Sequence, residues 1–336
     1  MLPGLMASLA AQSDPRCTIT VIDDASTDDS VAYLRGQWPL IKLICHETNR
    51  GFATACNTGL RAADTPFLIL LNNDTHVDSD WLAEGLRAFD APEVGAVASL
   101  VLLAEPPHLI DTAGDVYSVA GGAVKRNHLR PRDTAVRLDR DVFSPCGASA
   151  FYRREAIAAA GGIDERFESY YEDVDLGFRL AWAGYRCVFA PASICYHHLS
   201  SSYDPAGWRY HFNSARNAEI VWWSNMPTRF RRKYLLAHLC FLAAQGANKL
   251  RQGRFLAYIA GKWAALRHVA HIREKRARNE CLTGVAERSG SPSPTRRRGG
   301  APRLPEDVYN NRRTEARIES LLVRDWWKLH VRSRMG

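Results

Sequence analysis

The strongest constraint on this chain is a recurring pair of segments. A short apolar run rich in β-branched residues ends in polar or acidic groups, and a helix-forming stretch follows. "CTITVIDD" (17–24) precedes "ASTDDSVAYLRGQ", "IKLICHE" (41–47) precedes "NRGFATACNTGLRAA", and "TPFLILLNND" (65–74) precedes "DSDWLAEGLRAFDA". "VGAVASLVLL" (94–103) is a fourth strand, and "GASAFYRREAIAAAGG" (147–162) a strand leading into a helix. Alternation of this kind predicts an α/β fold with a mostly parallel sheet flanked by helices. Ligands of such sheets bind at the carboxyl ends of the strands. Asp23, Asp24 and Asp74 all fall at strand ends, on one expected rim. Ser26 or Thr27 is the expected N-cap of the helix after Asp24.

Residues 105–142, rich in Gly, Pro and Arg, read as a long excursion from this pattern. "FESYYEDVDLGFRL" (167–180) is ambiguous, because Val174, Leu176, Phe178 and Leu180 alternate as in a strand. The acids that open the segment and the Gly184 that closes it predict a helix over 172–183. "YRCVFAPAS" behind it is the better strand.

The net charge of +8 conceals a division. Residues 1–228 carry 19 Lys and Arg against 28 Asp and Glu, whereas 229–336 carry 25 against 8. An acidic body joined to a basic tail predicts two tasks, the tail facing an anionic partner. Between 229 and 278 basic clusters alternate with Phe255, Leu256, Tyr258, Ile259 and Trp263, the pattern of amphipathic helices on an anionic membrane. A solvated charged face and nucleic acid are rivals for the same charges. The most apolar run, Tyr234 to Ala247, is shorter than the ~20 residues of a spanning helix. Residues 284–305, with "SGSPSPTRRRGGAPRLP", read as a disordered linker, and roughly 312–330 as a short closing helix. None of the eight cysteines forms a C-x-x-C pair, and no signal-peptide pattern precedes Arg16, so the thiols are expected to be reduced and cytosolic.

Each chemistry-bearing stretch has a structural alternative. Asp74 in "LLNNDT" could hold a hard divalent cation that grips a diphosphate, or cap the next helix. Asp23 and Asp24 could accept hydrogen bonds from a nucleobase and ribose, or cap a helix. Glu172 and Asp173 could supply a general base, since neighbouring carboxylates raise one another's pKa, or simply favour a helix N-terminus. His197 or His198 in "YHHLSSS" could ligate a metal or be structural.

The order of these stretches carries more than any one of them. "VIDDASTDDS", "NRGFATACNTGL", "LLNNDT", "GASAFYRREAI", "GGIDERFESYYEDVDLGFRLAWAGYR" and "YHHLSSS" resemble, in sequence and spacing, the family-two inverting glycosyltransferases of the GT-A (Rossmann-like) fold. The similarity is greatest to the bacterial rhamnosyltransferase branch. It covers residues 1–228, with weaker similarity through the basic helices to about 278. The resemblance implies that Asp23 and Asp24 hold the nucleotide's base and ribose. It implies that Asn72, Asn73 and Asp74 form the diphosphate and metal motif, with Asp74 the ligand. Asp173 matches the catalytic base, Glu172 the acceptor-pocket wall, and His197 a second metal ligand. Gly147 and Ala148 match the backbone bordering the donor sugar. Arg216 and Asn217 match a recurrent pair to which the resemblance assigns no role.

It further implies Mg2+ or Mn2+, a nucleotide diphosphate sugar donor, a lipid-linked glycan acceptor, and a peripheral cytoplasmic enzyme at the inner face of the plasma membrane. Two features depart from the family's pattern. Glu168 stands where an aromatic is frequent, and the chain opens in "LPGLMASLAAQ", where the family first has a strand with a nucleotide-site turn. A metal-dependent hydrolase and a nucleotide-sugar-binding module without turnover are the competing functions.

Overall fold

The computed structural model describes residues 1–199, 207–282, 315–316 and 318–323. The 284–305 linker lies outside them, as does most of the 312–330 segment, whose described residues are helical at 315–316 and 318–321.

Strands β1 (Thr20–Asp23) and β2 (Lys42–Cys45) pair in parallel as a two-stranded sheet. Helix α1 (Leu2–Ala10) comes before them, α2 (Ser30–Gln37) joins them, and α3 (Phe52–Ala62) follows. The residue capping α2 is Asp29, rather than Ser26 or Thr27. Instead, Ser26 N–H donates to the Asp23 carboxylate at 3.3 Å, in a turn that postpones the helix.

The main sheet is built on β3 (Phe67–Leu71), β4 (Thr75–Val77), β5 (Val94–Leu103), β10 (Ser149–Arg153) and β11 (Arg186–His197), in the order β3-β10-β5-β11-β4. All ten residues of β5 are buried, as expected of a strand covered on both faces. Helices flank the sheet as expected, but strand direction is mixed rather than mostly parallel. β10 runs antiparallel to both β3 and β5, β4 runs antiparallel to β11, and only β5–β11 is parallel among these pairs. Register arises from pairings such as Phe151 with Ile69 and Val97, which join residues more than fifty positions apart in the chain. Among the described residues, strands β1 and β3 each pair on one side only.

The excursion folds onto this frame. It contains β6 (Ile110–Thr112), β7 (Asp115–Ser118), β8 (Ala123–Lys125), a 3-10 turn at Arg132–Arg137 and β9 (Asp141–Val142). β6 pairs with β5 and β9 with β11, while β12 (Leu322–Val323) adds to β7. Helix α4 (Trp81–Arg87) covers one face of the sheet. Trp81 and Leu82 pack there with Val97, Val101 and Phe151. α5 (Arg154–Ala160) and α6 (Glu172–Trp182) cover the other, around Leu100, Tyr152, Ile157 and Leu176.

Four helices follow the sheet: α7 (Trp208–Asn225), α8 (Thr228–Arg251), α9 (Phe255–Leu266) and α10 (Val269–Leu282), among the described residues up to 282. α7 and α6 share a core of Phe178, Trp182, Ile220 and Trp222. α10 is held by charge. Lys275 lies 2.7 Å from both Asp164 and Asp175, and His271 lies 2.7 Å from Asp164. Among the described residues, no helix is long and apolar enough to cross a membrane.

Candidate active site

The first turn of α6 presents Glu172 and Asp173. The backbone leading into it is strained: Glu168, Tyr170 and Tyr171 all have positive φ, at 61°, 73° and 72°. Left-handed non-glycine residues persist only where their surroundings hold them. Here α7 supplies the hold. Asn217 Nδ2 donates to the carbonyls of Phe167, Ser169 and Tyr170 at 2.9, 3.0 and 2.7 Å. Arg216 donates to the Phe167 carbonyl at 3.1 Å and the Glu168 carboxylate at 3.1 Å, and its Nε to Asn217 Oδ1 at 2.9 Å. The Arg-Asn pair is thus a clamp on the turn that aims the two acids. On the far side Ala53 N–H donates to the Glu168 carbonyl at 3.1 Å. Gly51, at φ +86°, approaches so closely that a Cβ would sit 3.3 Å from that oxygen.

Asp173 accepts hydrogen bonds from the backbone N–H of Gly147 at 3.0 Å and of Val174 at 2.8 Å. Burial pushes its carboxyl up despite these donors. Glu172 is raised further, first by burial and then by Asp173, and its Oε2 is buried without a hydrogen-bond partner.

Gly147 continues the wall toward the strand ends. Ala148, its neighbour, accepts from Asn72 N–H at 3.1 Å. Asn72 and the exposed Asn73 lead to Asp74, which is buried. Asp74 caps no helix, since α4 is preceded by Asp80. Its Oδ1 lies 3.3 Å from His197 Nε2, at the end of β11. His198, by contrast, places its ring 3.1 Å from His76. The structure therefore joins Asp173, Gly147, Ala148, Asn72, Asp74 and His197 in one contiguous neighbourhood.

Three residues of the excursion belong to the same neighbourhood, and sequence reasoning passed over them. Asp111, fully buried on β6, accepts from His197 Nδ1 at 3.0 Å and from Lys125 Nζ at 2.7 Å. Burial would raise its carboxyl, but these partners hold it below the usual range. Burial alone would lower His197; hydrogen bonds to Asp111 and Asp74 raise it instead to about 9. Asp115 bonds the Ser144 hydroxyl at 3.0 Å and is pushed well up by burial and by Asp173. The signal was two acids four apart in "DTAGD", in a stretch without clear periodicity.

Asp24 sits elsewhere on the rim and is already engaged. Its carboxylate accepts from Arg50 N–H at 2.9 Å, Gly51 N–H at 2.8 Å and the His46 ring at 2.7 Å. These bonds hold it below the ordinary carboxylate range, against burial. Asp23 is buried beside it.

Among the described residues no three His, Cys, Asp or Glu side chains form a group able to hold a metal. The pair Asp74 and His197 nevertheless fits a divalent cation that takes its remaining positions from phosphate oxygens and water. A carboxylate oxygen faces an imidazole nitrogen, and Asp111 fixes the other ring nitrogen, as outer-shell carboxylates do for metal-bound histidine.

A helix-flanked mixed sheet with acidic side chains at its strand ends is the arrangement of the GT-A fold. Residues 1–160 match the family model "Glycosyl transferase family 2". It is 28% identical over 297 residues to the N-acetylglucosaminyl-diphospho-decaprenol L-rhamnosyltransferase of Mycobacterium tuberculosis, covering 78% of this chain and 94% of that protein. It is 30% identical over 212 residues to the O-antigen biosynthesis protein RfbC of Myxococcus xanthus, covering 60% of this chain but only 16% of that protein. Among solved structures, GalNAc-T7 with UDP, GalNAc and Mn2+ shares the fold at a TM-score of 0.51 and 15% identity, over 72% of this chain and 54% of that one.

Proposed function

We propose that the chain transfers a sugar, rhamnose by its similarity to the mycobacterial enzyme, from a nucleotide diphosphate sugar to a lipid-linked or polysaccharide acceptor, with inversion, in cell-surface glycan synthesis. The observation that carries this reading is the run of contacts from Asp173 through Gly147, Ala148 and Asn72 to Asp74 and His197. This run supports a base and a diphosphate-binding group serving one site.

Asp173 takes the proton of an acceptor hydroxyl, and the resulting oxygen attacks C1. The bond from C1 to the diphosphate breaks on the opposite face, so configuration inverts. The raised carboxyl of Asp173 makes it a stronger base than a free aspartate. Glu172, orphaned and buried, lines the acceptor side. Asn72, Asn73, Gly147 and Ala148 border the donor, with Asp23 and Asp24 toward the nucleotide. Asp74 and His197 would hold Mg2+ or Mn2+, which would supply positive charge to offset the negative charge on the leaving diphosphate.

The exposed side chains of α9, among them Leu256 and Trp263 at 71% and 69% exposure, form an apolar stripe flanked by Arg251, Arg254 and Arg267. This supports peripheral docking on the anionic cytoplasmic face of the plasma membrane.

A donor screen that reads nucleoside diphosphate release, with and without acceptor and Mn2+, tests the reaction. Asp173→Asn should lower kcat by ~10²–10⁴ while keeping donor affinity. Normal turnover by that variant removes the base assignment. Equal sedimentation with neutral and anionic vesicles removes the docking. The competing reading, a donor-binding module without turnover, draws on the separation of β1–β2 from the main sheet. Saturable donor binding with no product from any acceptor would establish it.

A further inference from the structure

A cavity of about 770 Å3, partly open to solvent, lies apart from the candidate active site, between α7, α8, α9 and α10. That volume is typical of sites for small organic ligands, ~300–1,000 Å3. Its walls are largely apolar, with Leu242, Ala243, Gly246, Tyr258 and Ile259 among them. Trp263, Leu266 and Val269 also line it and are themselves exposed, so an apolar path runs from the surface inward.

The charges around it have one sign to spare. Glu219 is satisfied by Lys262 at 2.8 Å, His238 at 3.2 Å and Trp223 Nε1 at 3.1 Å. Arg231, Arg273 and Arg276 remain on the lining. Arg231 donates to Thr228 and Arg276 to the Trp223 carbonyl, yet the Nε of each is buried without a hydrogen-bond partner. Glu280, near Arg276 and 3.5 Å from Thr228, compensates part of this charge.

We propose that this cavity holds the apolar chain of the lipid-linked acceptor, with the chain's anionic diphosphate head against Arg231, Arg273 and Arg276. The inference rests on the reading of the acceptor given above, and it adds where the lipid is held. Guanidinium groups suit phosphate oxygens through paired N–H donors. A peptide occupant would bring amide and carbonyl groups needing partners that apolar walls do not offer. Residues 283–314 are polar and basic in sequence, and so match neither the walls nor the arginines. α7 links this cavity to the candidate active site: Glu219 and Trp223 line the cavity, and Asn217, two residues before Glu219, clamps the turn bearing Asp173.

The test uses the full chain with geranylgeranyl diphosphate as probe, followed by calorimetry, with inorganic diphosphate and geranylgeraniol as controls. Ala243 is exposed, so Ala243→Trp can fill the cavity without disturbing the core, and Ala247→Trp provides a second filling variant. Each should weaken the probe by about 10-fold or more. Arg231→Gln with Arg273→Gln should weaken the diphosphate by about 10-fold and leave geranylgeraniol unchanged. Wild-type affinity in both tryptophan variants overturns the proposal. So does inorganic diphosphate binding as tightly as the prenyl form, or probe binding seen only in the presence of anionic vesicles. Prenyl binding that meets these expectations without sugar transfer would remove the transferase reading alone. Transfer with the filling variants unaffected would remove the cavity alone.

Discussion

Replacing Asn217 with alanine tests whether the strained turn before Asp173 is part of the machinery. The side chain donates to three carbonyls, at 2.9, 3.0 and 2.7 Å, and is itself fully buried. The amide has two N–H groups, shared among the three carbonyls, and its Oδ1 accepts from Arg216 Nε; at roughly 1 kcal/mol per bond the loss is about 3 kcal/mol, more if the carbonyls stay dry. Glu168, Tyr170 and Tyr171 hold positive φ at a cost of about 1–3 kcal/mol each, so the freed turn has reason to relax. Relaxation would carry Glu172 and Asp173 with it, while Asp74 and His197, on β4's approach and β11, would stay. The expected result is a lower urea midpoint, a kcat reduced by ~10–100-fold, and donor affinity within about 3-fold of wild type. Asn217→Asp, close to isosteric but replacing the donor with an oxygen, should do at least as much harm. Urea denaturation, calorimetry with donor and initial rates measure the three quantities. A variant that loses stability yet keeps its kcat would show that the clamp serves folding alone, and a variant with wild-type stability would refute the bond accounting itself.

Asp111→Asn removes the carboxylate that fixes the His197 ring, and should weaken Mn2+ binding in the presence of nucleoside diphosphate by ~10–100-fold, read by electron paramagnetic resonance; unchanged affinity would deny Asp111 that role. Lys275→Met strips the cation from half-buried Asp164 and buried Asp175 and should cost about 3 kcal/mol by urea denaturation, with α10 protected less in hydrogen exchange. Glu219 is held at about 2, its partners overcoming burial, against 4.5 when unfolded. A depressed carboxyl stabilises above its unfolded value, so this contribution should disappear as pH falls from about 4.5 to about 2. Burial pushes its partner Lys262 down, but Lys262 stays protonated throughout this acid window and so adds no slope there. Stability of Glu219→Gln should therefore vary less with pH across that window than wild type, and parallel curves would contradict the linkage.

The layers of the fold were legible because burial leaves a local imprint. The run from Val94 to Leu103 has hardly a polar atom, and it became a strand buried along its whole length. Acids opening a segment and glycine closing it identified α6 despite the strand-like alternation of Val174, Leu176, Phe178 and Leu180, because in a helix covered on every side those residues are all buried. Strand direction left no such imprint. β10 reads like any parallel strand, and it is antiparallel only because the excursion returns the chain from the other end of the sheet. The site divides along the same line. Acids at strand ends stand out in the sequence, but Asp111, Asp115 and Lys125 sit in a glycine-rich stretch where no periodicity marks them, and they reach His197 and Asp173's surroundings through tertiary packing. Likewise no propensity favours a left-handed Tyr170 or Tyr171. Their conformation is imposed by an amide on a helix about forty-five residues downstream. A local pattern can show which residues are available for chemistry. The hydrogen bonds that aim them are long-range, so in this protein the aiming groups, Asn217 above all, are where mutation should separate catalysis from binding.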